Sequence, residues 1–232
     1  MTGLGAALGC VPSAAAPAFA LERERERAPR RGSGGNKILR MGAGSFNLSN
    51  QFLIAMPGML DDSFAGSVVY LCEHSERGAL GLVINKPIDI NLGKLFDKVE
   101  LPLEREELAA QPVFYGGPVQ TERGFVLHDK READAAKYNS TLSVPGGLEM
   151  TTSKDVLEDL ANGTGPRRVL VTLGYSGWSA GQLEDELSRN GWLTVDADPA
   201  IIFDTPIELR YERALSLLGI DPRMLSQEAG HA

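Results

Sequence analysis

Three glycines within eight residues, in the run Gly174-Tyr175-Ser176-Gly177-Trp178-Ser179-Ala180-Gly181, constrain this 232-residue chain more than any other feature. They follow an apolar segment, Arg168-Val169-Leu170-Val171-Thr172-Leu173, that reads as a strand. Glycine accepts backbone angles and close approaches that other residues resist, so the run predicts a tight strand-to-helix junction. Ser179 and Gln182 form a capping-box pattern, and Trp178 with Leu183 fits a hydrophobic staple across the same cap. Leu183 and Leu187 then share one helix face, and Gly191 stops the helix.

Other segments follow the same logic of short apolar runs between turn residues. Phe52–Met56 reads as a buried strand stopped by Pro57-Gly58, and Ser67–Cys72 with Ala79–Ile84 as a hairpin around a polar loop. Pro87 ends the second of these. Residues 92–110 read as partly helical. Val113-Phe114-Tyr115 and Gly124–His128 read as two strands around a Gly-rich turn, residues 129–139 as a polar loop, and Ala200–Phe203 as one more buried strand. Ser153 caps a helix over 154–162 with Gly163 as its stop. Thr205 and Pro206 open a last helix that Gly219 closes. Strands that pair with sequence neighbours, with helices gathered late, predict a compact α+β fold of mainly antiparallel strands with several flanking helices.

The overall charge of −8 hides an asymmetry. Residues 1–44 hold seven basic and three acidic side chains, whereas residues 45–232 hold sixteen basic and twenty-eight acidic ones. An acidic body repels phosphate backbones, so direct nucleic-acid binding is not expected. Three units follow: a basic N-terminal extension over 1–44, a single folded domain over 45–222 and a short tail over 223–232. Ala18-Phe19-Ala20 superficially matches a cleavage site, but no basic residue precedes the apolar stretch, and Pro12 and Pro17 interrupt it. Met41 is a credible alternative start. No run approaches the roughly 20 apolar residues of a membrane helix. Cys10 and Cys72, the only cysteines, lie in segments of different character and point neither to a disulfide nor to a cysteine-rich zinc site.

Several residues invite a functional reading. Gly174-Tyr175-Ser176-Gly177-Trp178 approaches the G-x-S-x-G nucleophile elbow, but Trp178 stands where the last glycine belongs, so the match fails. His74 and His128, each beside a carboxylate, could hold a metal or exchange protons if their hairpins met. The plainer reading, preferred here, is that each hydrogen-bonds locally at a strand end. Gly116-Gly117-Pro118 reads as a turn before it reads as a phosphate cradle. Asn85-Lys86-Pro87 is first a strand terminus, Asp61-Asp62 a solvated loop start, and Trp178 and Trp192 anchors of the central helix.

Taken together, these segments resemble the YqgE/AlgH family of bacterial proteins. The resemblance rests on Phe52–Pro57, Glu73-His74 with Gly78–Asn85, Gly116–Val119, Val126–His128, Gly174–Trp178, Gly181–Leu187 and Leu218–Asp221, in the family's order across roughly residues 46–222. It implies a compact α+β fold and a cytoplasmic bacterial protein. It implies no reaction, no cofactor and no catalytic residues. Some members are labelled transcriptional regulators, yet no helix-turn-helix signature is present. The expectation is a cytoplasmic binding or regulatory module that contacts a protein or small molecule through His74, Asn85, Gly117, His128, Ser176 and Trp178. The alternative is a hydrolase or metal-assisted enzyme built on His74 and His128.

Overall fold

A computed structural model describes residues 47–130 and 137–221. The expected basic extension, the expected tail and part of the expected loop at 129–139 fall outside these residues. Ten strands form one curled, mainly antiparallel sheet flanked by six helices among the described residues, the α+β class expected. The strands are β1 (Gln51–Ala55), β2 (Val68–Ser75), β3 (Gly78–Val83), β4 (Pro87–Asn91), β5 (Pro112–Tyr115), β6 (Val119–Asp129), β7 (Thr141–Val144), β8 (Leu148–Thr151), β9 (Val169–Ser179) and β10 (Trp192–Asp196). Their order is β10-β1-β2-β3-β9-β6-β8-β7, with β4 on β5 and β5 parallel to β9.

The period of two along β1 divides the interior. Phe52 and Ile54 enter a core closed by Ile202, Ala214 and Leu215, which come from the helices α5 (Pro199–Phe203) and α6 (Arg210–Leu217). Leu53 and Ala55 point to the opposite face, where Trp178, Trp192 and Leu183 of α4 (Gln182–Ser188) cover them. A third core joins Val113, Val126 and Val171 to α1 (Leu92–Lys98), α2 (Glu106–Ala109) and α3 (Asp155–Ala161).

The glycine run does not end a strand. β9 continues through Gly174 to Ser179, and the helix starts only at Gln182. Gly174, at φ +75°, instead bends the strand, so that Val169–Leu173 pair with β6 and Ser176–Ser179 with β3. Half of the capping box forms: the Ser179 amide donates to Gln182 Oε1 at 3.0 Å, while Gly181 at φ +77° is the residue that precedes the helix. Trp178 and Leu183 pack in one core, as the staple requires.

Ala200–Phe203 is helical rather than a strand. Asp198 accepts from the Ala200 amide at 2.9 Å and Pro199 fills the first turn, a cap whose signal outweighs the short apolar run. Thr205 does not cap the last helix; its hydroxyl donates to the Ala200 carbonyl at 3.0 Å, and a 3₁₀ turn over Ile207–Leu209 precedes α6. Ser153 likewise bonds the Asn139 carbonyl and the Asp155 carboxylate rather than an N-terminal amide of α3. Val113–Tyr115 and Gly124–His128 are strands, but both pair with β9 rather than with each other.

Gly117 sits at φ +148°, and a Cβ there would overlap the Tyr175 carbonyl carbon and Ser176 backbone. Gly117→Ala should therefore destabilise the protein by about 2–4 kcal/mol, measured as a lowered urea midpoint with an unchanged m-value. Burial pushes the Tyr70 phenol and the Cys72 thiol well above their ordinary values. Both then stay protonated in the fold where the unfolded chain ionises. Stability should be intact below about pH 8.5 and fall as pH rises beyond it, checked by urea melts across that range.

Candidate functional site

Two tryptophans, the only two in the chain, meet on one side of the sheet beneath α4. Trp178 comes from the end of β9 and Trp192 from the start of β10, and their ring centroids lie 6.1 Å apart, edge to face. Phe64, from the loop after β1, stacks on Trp178 at 6.1 Å and meets Trp192 edge-on at 5.4 Å. Both indoles need an acceptor once buried. Glu186 of α4 supplies it: Oε2 accepts from Trp178 Nε1 at 3.0 Å and from Trp192 Nε1 at 2.8 Å. Its other oxygen accepts from Gln182 Nε2 at 3.0 Å, one helical turn back. One carboxylate thereby fixes two rings and ties the helix to the sheet.

Above this cluster opens a cleft of about 580 Å³. Its walls are Met59 and Phe64 on one side, Pro118, Val119 and Gly177 on another, with Glu186, Arg189 and the two tryptophans. The volume lies within the range of small-molecule sites, and the mix of apolar walls with a few polar groups is their usual chemistry. The loop over residues 56–66 forms one lip. Lys86 holds it by donating to the carbonyls of Asp62 and Ser63 at 3.0 and 2.9 Å. Burial lowers the Lys86 pKa from its ordinary value, against the opposing pull of Asp61 and Asp62.

The residues singled out from sequence divide into two groups. Gly117 and Ser176 touch backbone to backbone behind the cleft wall, and Trp178 is part of its floor. Ser176 is fully buried and donates its hydroxyl to the Gly116 carbonyl at 3.1 Å, an arrangement that serves packing rather than nucleophilic attack. Asn85 accepts from the Val68 amide and donates to the Gly66 carbonyl, which closes the base of the same lip. His74 lies on the neighbouring rim: its pairing partner Ala79 pairs in turn with Trp178. The Leu48 amide donates to its Nδ1 at 3.1 Å, so Nε2 carries the proton and donates to Glu184 of α4 at 3.0 Å. Neighbouring acids of α4 thus grip His74 and the tryptophans.

His128 does not join them. It pairs with Val169 at the start of β9, whereas His74 is in register with Trp178 near its end. Nine residues of strand separate those positions, roughly 30 Å of contour at about 3.3 Å per residue. His128 is fully buried, with Nε2 against Thr151 Oγ1 and Nδ1 against the Asp129 carbonyl. Register thus sets the two histidines at opposite ends of β9, and each ring is engaged by its own partners rather than by a common group. Among the described residues no group of three His, Cys, Asp or Glu side chains is placed to hold a metal ion. Sequence reasoning missed Glu186, Gln182, Met59 and Phe64; the Gln182–Glu186 spacing beside two flanking tryptophans was the available signal.

A curled, mainly antiparallel sheet with an aromatic cleft under one short helix defines the class of this protein. The chain belongs to the AlgH-like family, whose model matches residues 52–223. A UPF0301 protein of Ralstonia pickettii is 71% identical over 186 residues, covering 80% of this chain and 96% of the relative. One from Cupriavidus pinatubonensis is 72% identical over the same length. The solution structure of the AlgH protein from Pseudomonas aeruginosa matches with a TM-score of 0.64 at 48% identity, over 84% of this chain and all of that one. A crystal structure from Corynebacterium diphtheriae, at 20% identity and a TM-score of 0.57, shares the fold, over 81% of this chain and 92% of that one.

Glu186→Ala leaves two buried indole N–H groups without an acceptor. It should lower stability by about 2–4 kcal/mol and shift tryptophan emission to the red, with Glu186→Gln losing less because one oxygen remains. Denaturant melts followed by intrinsic fluorescence give both readings.

Proposed function

We propose that the protein is a cytoplasmic binding or regulatory module that seats an apolar or aromatic group of a protein or small-molecule partner in the Trp178–Trp192 cleft. The observation that supports this reading is the pre-organised cleft itself: apolar walls of about the right volume, with its two rings locked by one carboxylate. Rigid aromatic anchors lose little conformational freedom on binding, which is why they dominate recognition sites. Glu186, Gln182 and Arg189 give the rim polar groups that orient a ligand. The solved relative carries the AlgH name, and this chain's acidic body favours regulation through such contacts over direct nucleic-acid recognition.

Native mass spectrometry of the protein purified gently from its own host tests the reading, with Met59→Arg as the comparison. Met59 is half-buried on the cleft wall, so the arginine fills the site without entering the core. A co-purifying partner or small molecule that is lost in Met59→Arg is the expected result. The same species retained in the variant, or a bare polypeptide in both, would sink it.

A further inference from the structure

A second cleft, of about 350 Å³, lies on the other side of the sheet between the start of β9 and the corner joining α5 to α6. Its walls include Phe114, Phe203, Ile202 and Ile207, and three arginines, Arg167, Arg168 and Arg210, converge on it. That is a notable concentration of basic charge in a body where acidic side chains outnumber basic ones by twenty-eight to sixteen. Among the described residues the only acid on its walls is Asp204, which already faces Arg168 at 3.6 Å. Arg168 is further engaged by Asp129, which accepts from its Nε and Nη2, and it lies over the Phe203 ring.

Arg210 differs from Arg168. Its residue is only 6% exposed, yet no carboxylate pairs with it among the described residues. Nε donates to the Thr205 carbonyl at 3.1 Å, Nη1 to the Ile84 carbonyl, and the guanidinium lies 5.0 Å from the Phe114 ring centre. Nη2 makes no hydrogen bond within the described residues and keeps solvent contact. Buried charges are as a rule paired, and the N–H bonds left on Nη2 of a fixed guanidinium can donate to the oxygens of a carboxylate or phosphate. Arg167, exposed on the same wall, also has no acid partner among the described residues.

We propose that this cleft binds the oxyanion group of a small organic molecule, with Arg210 Nη2 and Arg167 as its donors and the Phe114–Phe203 side receiving the apolar part of the ligand. Two carbonyls and a ring hold Arg210 in place before any ligand arrives, so little ordering cost remains at binding. Burial pulls the Arg210 pKa down to about 10, and an anion against Nη2 would offset that cost. The position is independent of the aromatic cleft, and either site can exist without the other.

Titration of isotope-labelled protein with phenyl phosphate, benzoate and benzyl alcohol, followed by NMR, tests the proposal. Phenyl phosphate or benzoate should shift the Arg210 side-chain Nε–H resonance together with the Phe203 and Thr205 amides. A response confined to one of them identifies phosphate or carboxylate as the preferred group. Arg167→Gln, a surface change, should weaken that binding roughly three- to tenfold with the fold intact. Arg210→Lys, which keeps the charge but loses the fork, should abolish the response if it folds; if it does not, the shift map and Arg167→Gln decide. The proposal is overturned if the anions leave these resonances unmoved, if neutral benzyl alcohol moves them equally, or if Arg167→Gln binds like the parent.

Discussion

Everything in this fold is referred to β9. It is antiparallel to β3 over one half and to β6 over the other, and β5 runs parallel alongside it. A straight strand could not serve both halves of a sheet that curls. Gly174 provides the bend, since its φ of +75° and the closeness of the Gly117 carbonyl leave no room for a side chain. The two clefts lie on either side of that bend. The aromatic one opens beyond Gly174, where the strand pairs with β3, and the arginine-lined one opens at the strand's start.

Much of this was legible in sequence because the controlling signals are local. β1 to β3 are apolar runs whose turns lie within a few residues, and the helix stops at Gly163 and Gly219 are glycines at φ +72° and +69°. The errors have a common cause as well. Ala200–Phe203 is a short apolar run that suits a strand or a helix equally, and the Asp198-Pro199 cap decides it. Gly174 was read as a junction because glycine marks bends and ends alike. The sequence reading has no strand at β4, β7, β8 or β10, each only four or five residues long; β10 in addition depends on β1, which is distant in sequence, whereas β7 and β8 form a local hairpin too short to show a period.

The candidate site was half visible for the same reason. Ser176 and Trp178 share one strand that their own sequence defines, and Gly117 meets them through the pairing of Val119 with Tyr175. His128 was grouped with His74 on chemistry alone, and only the register along β9 separates them. Glu184 and Glu186, which grip His74 and the two indoles, look in sequence like ordinary acids of a solvated helix face. Their role appears only when a helix is laid across three strands that the chain visits at widely separated times.

The hydrogen bond from the Leu48 amide to His74 Nδ1 ties the segment ahead of β1 to β2, and Leu48 is buried in the same cluster as Trp178 and Trp192. One helix of two turns therefore reaches, through Glu184 and His74, the segment ahead of β1, and through Glu186 the tryptophans of β9 and β10, so that a single short element staples together stretches of chain more than a hundred residues apart.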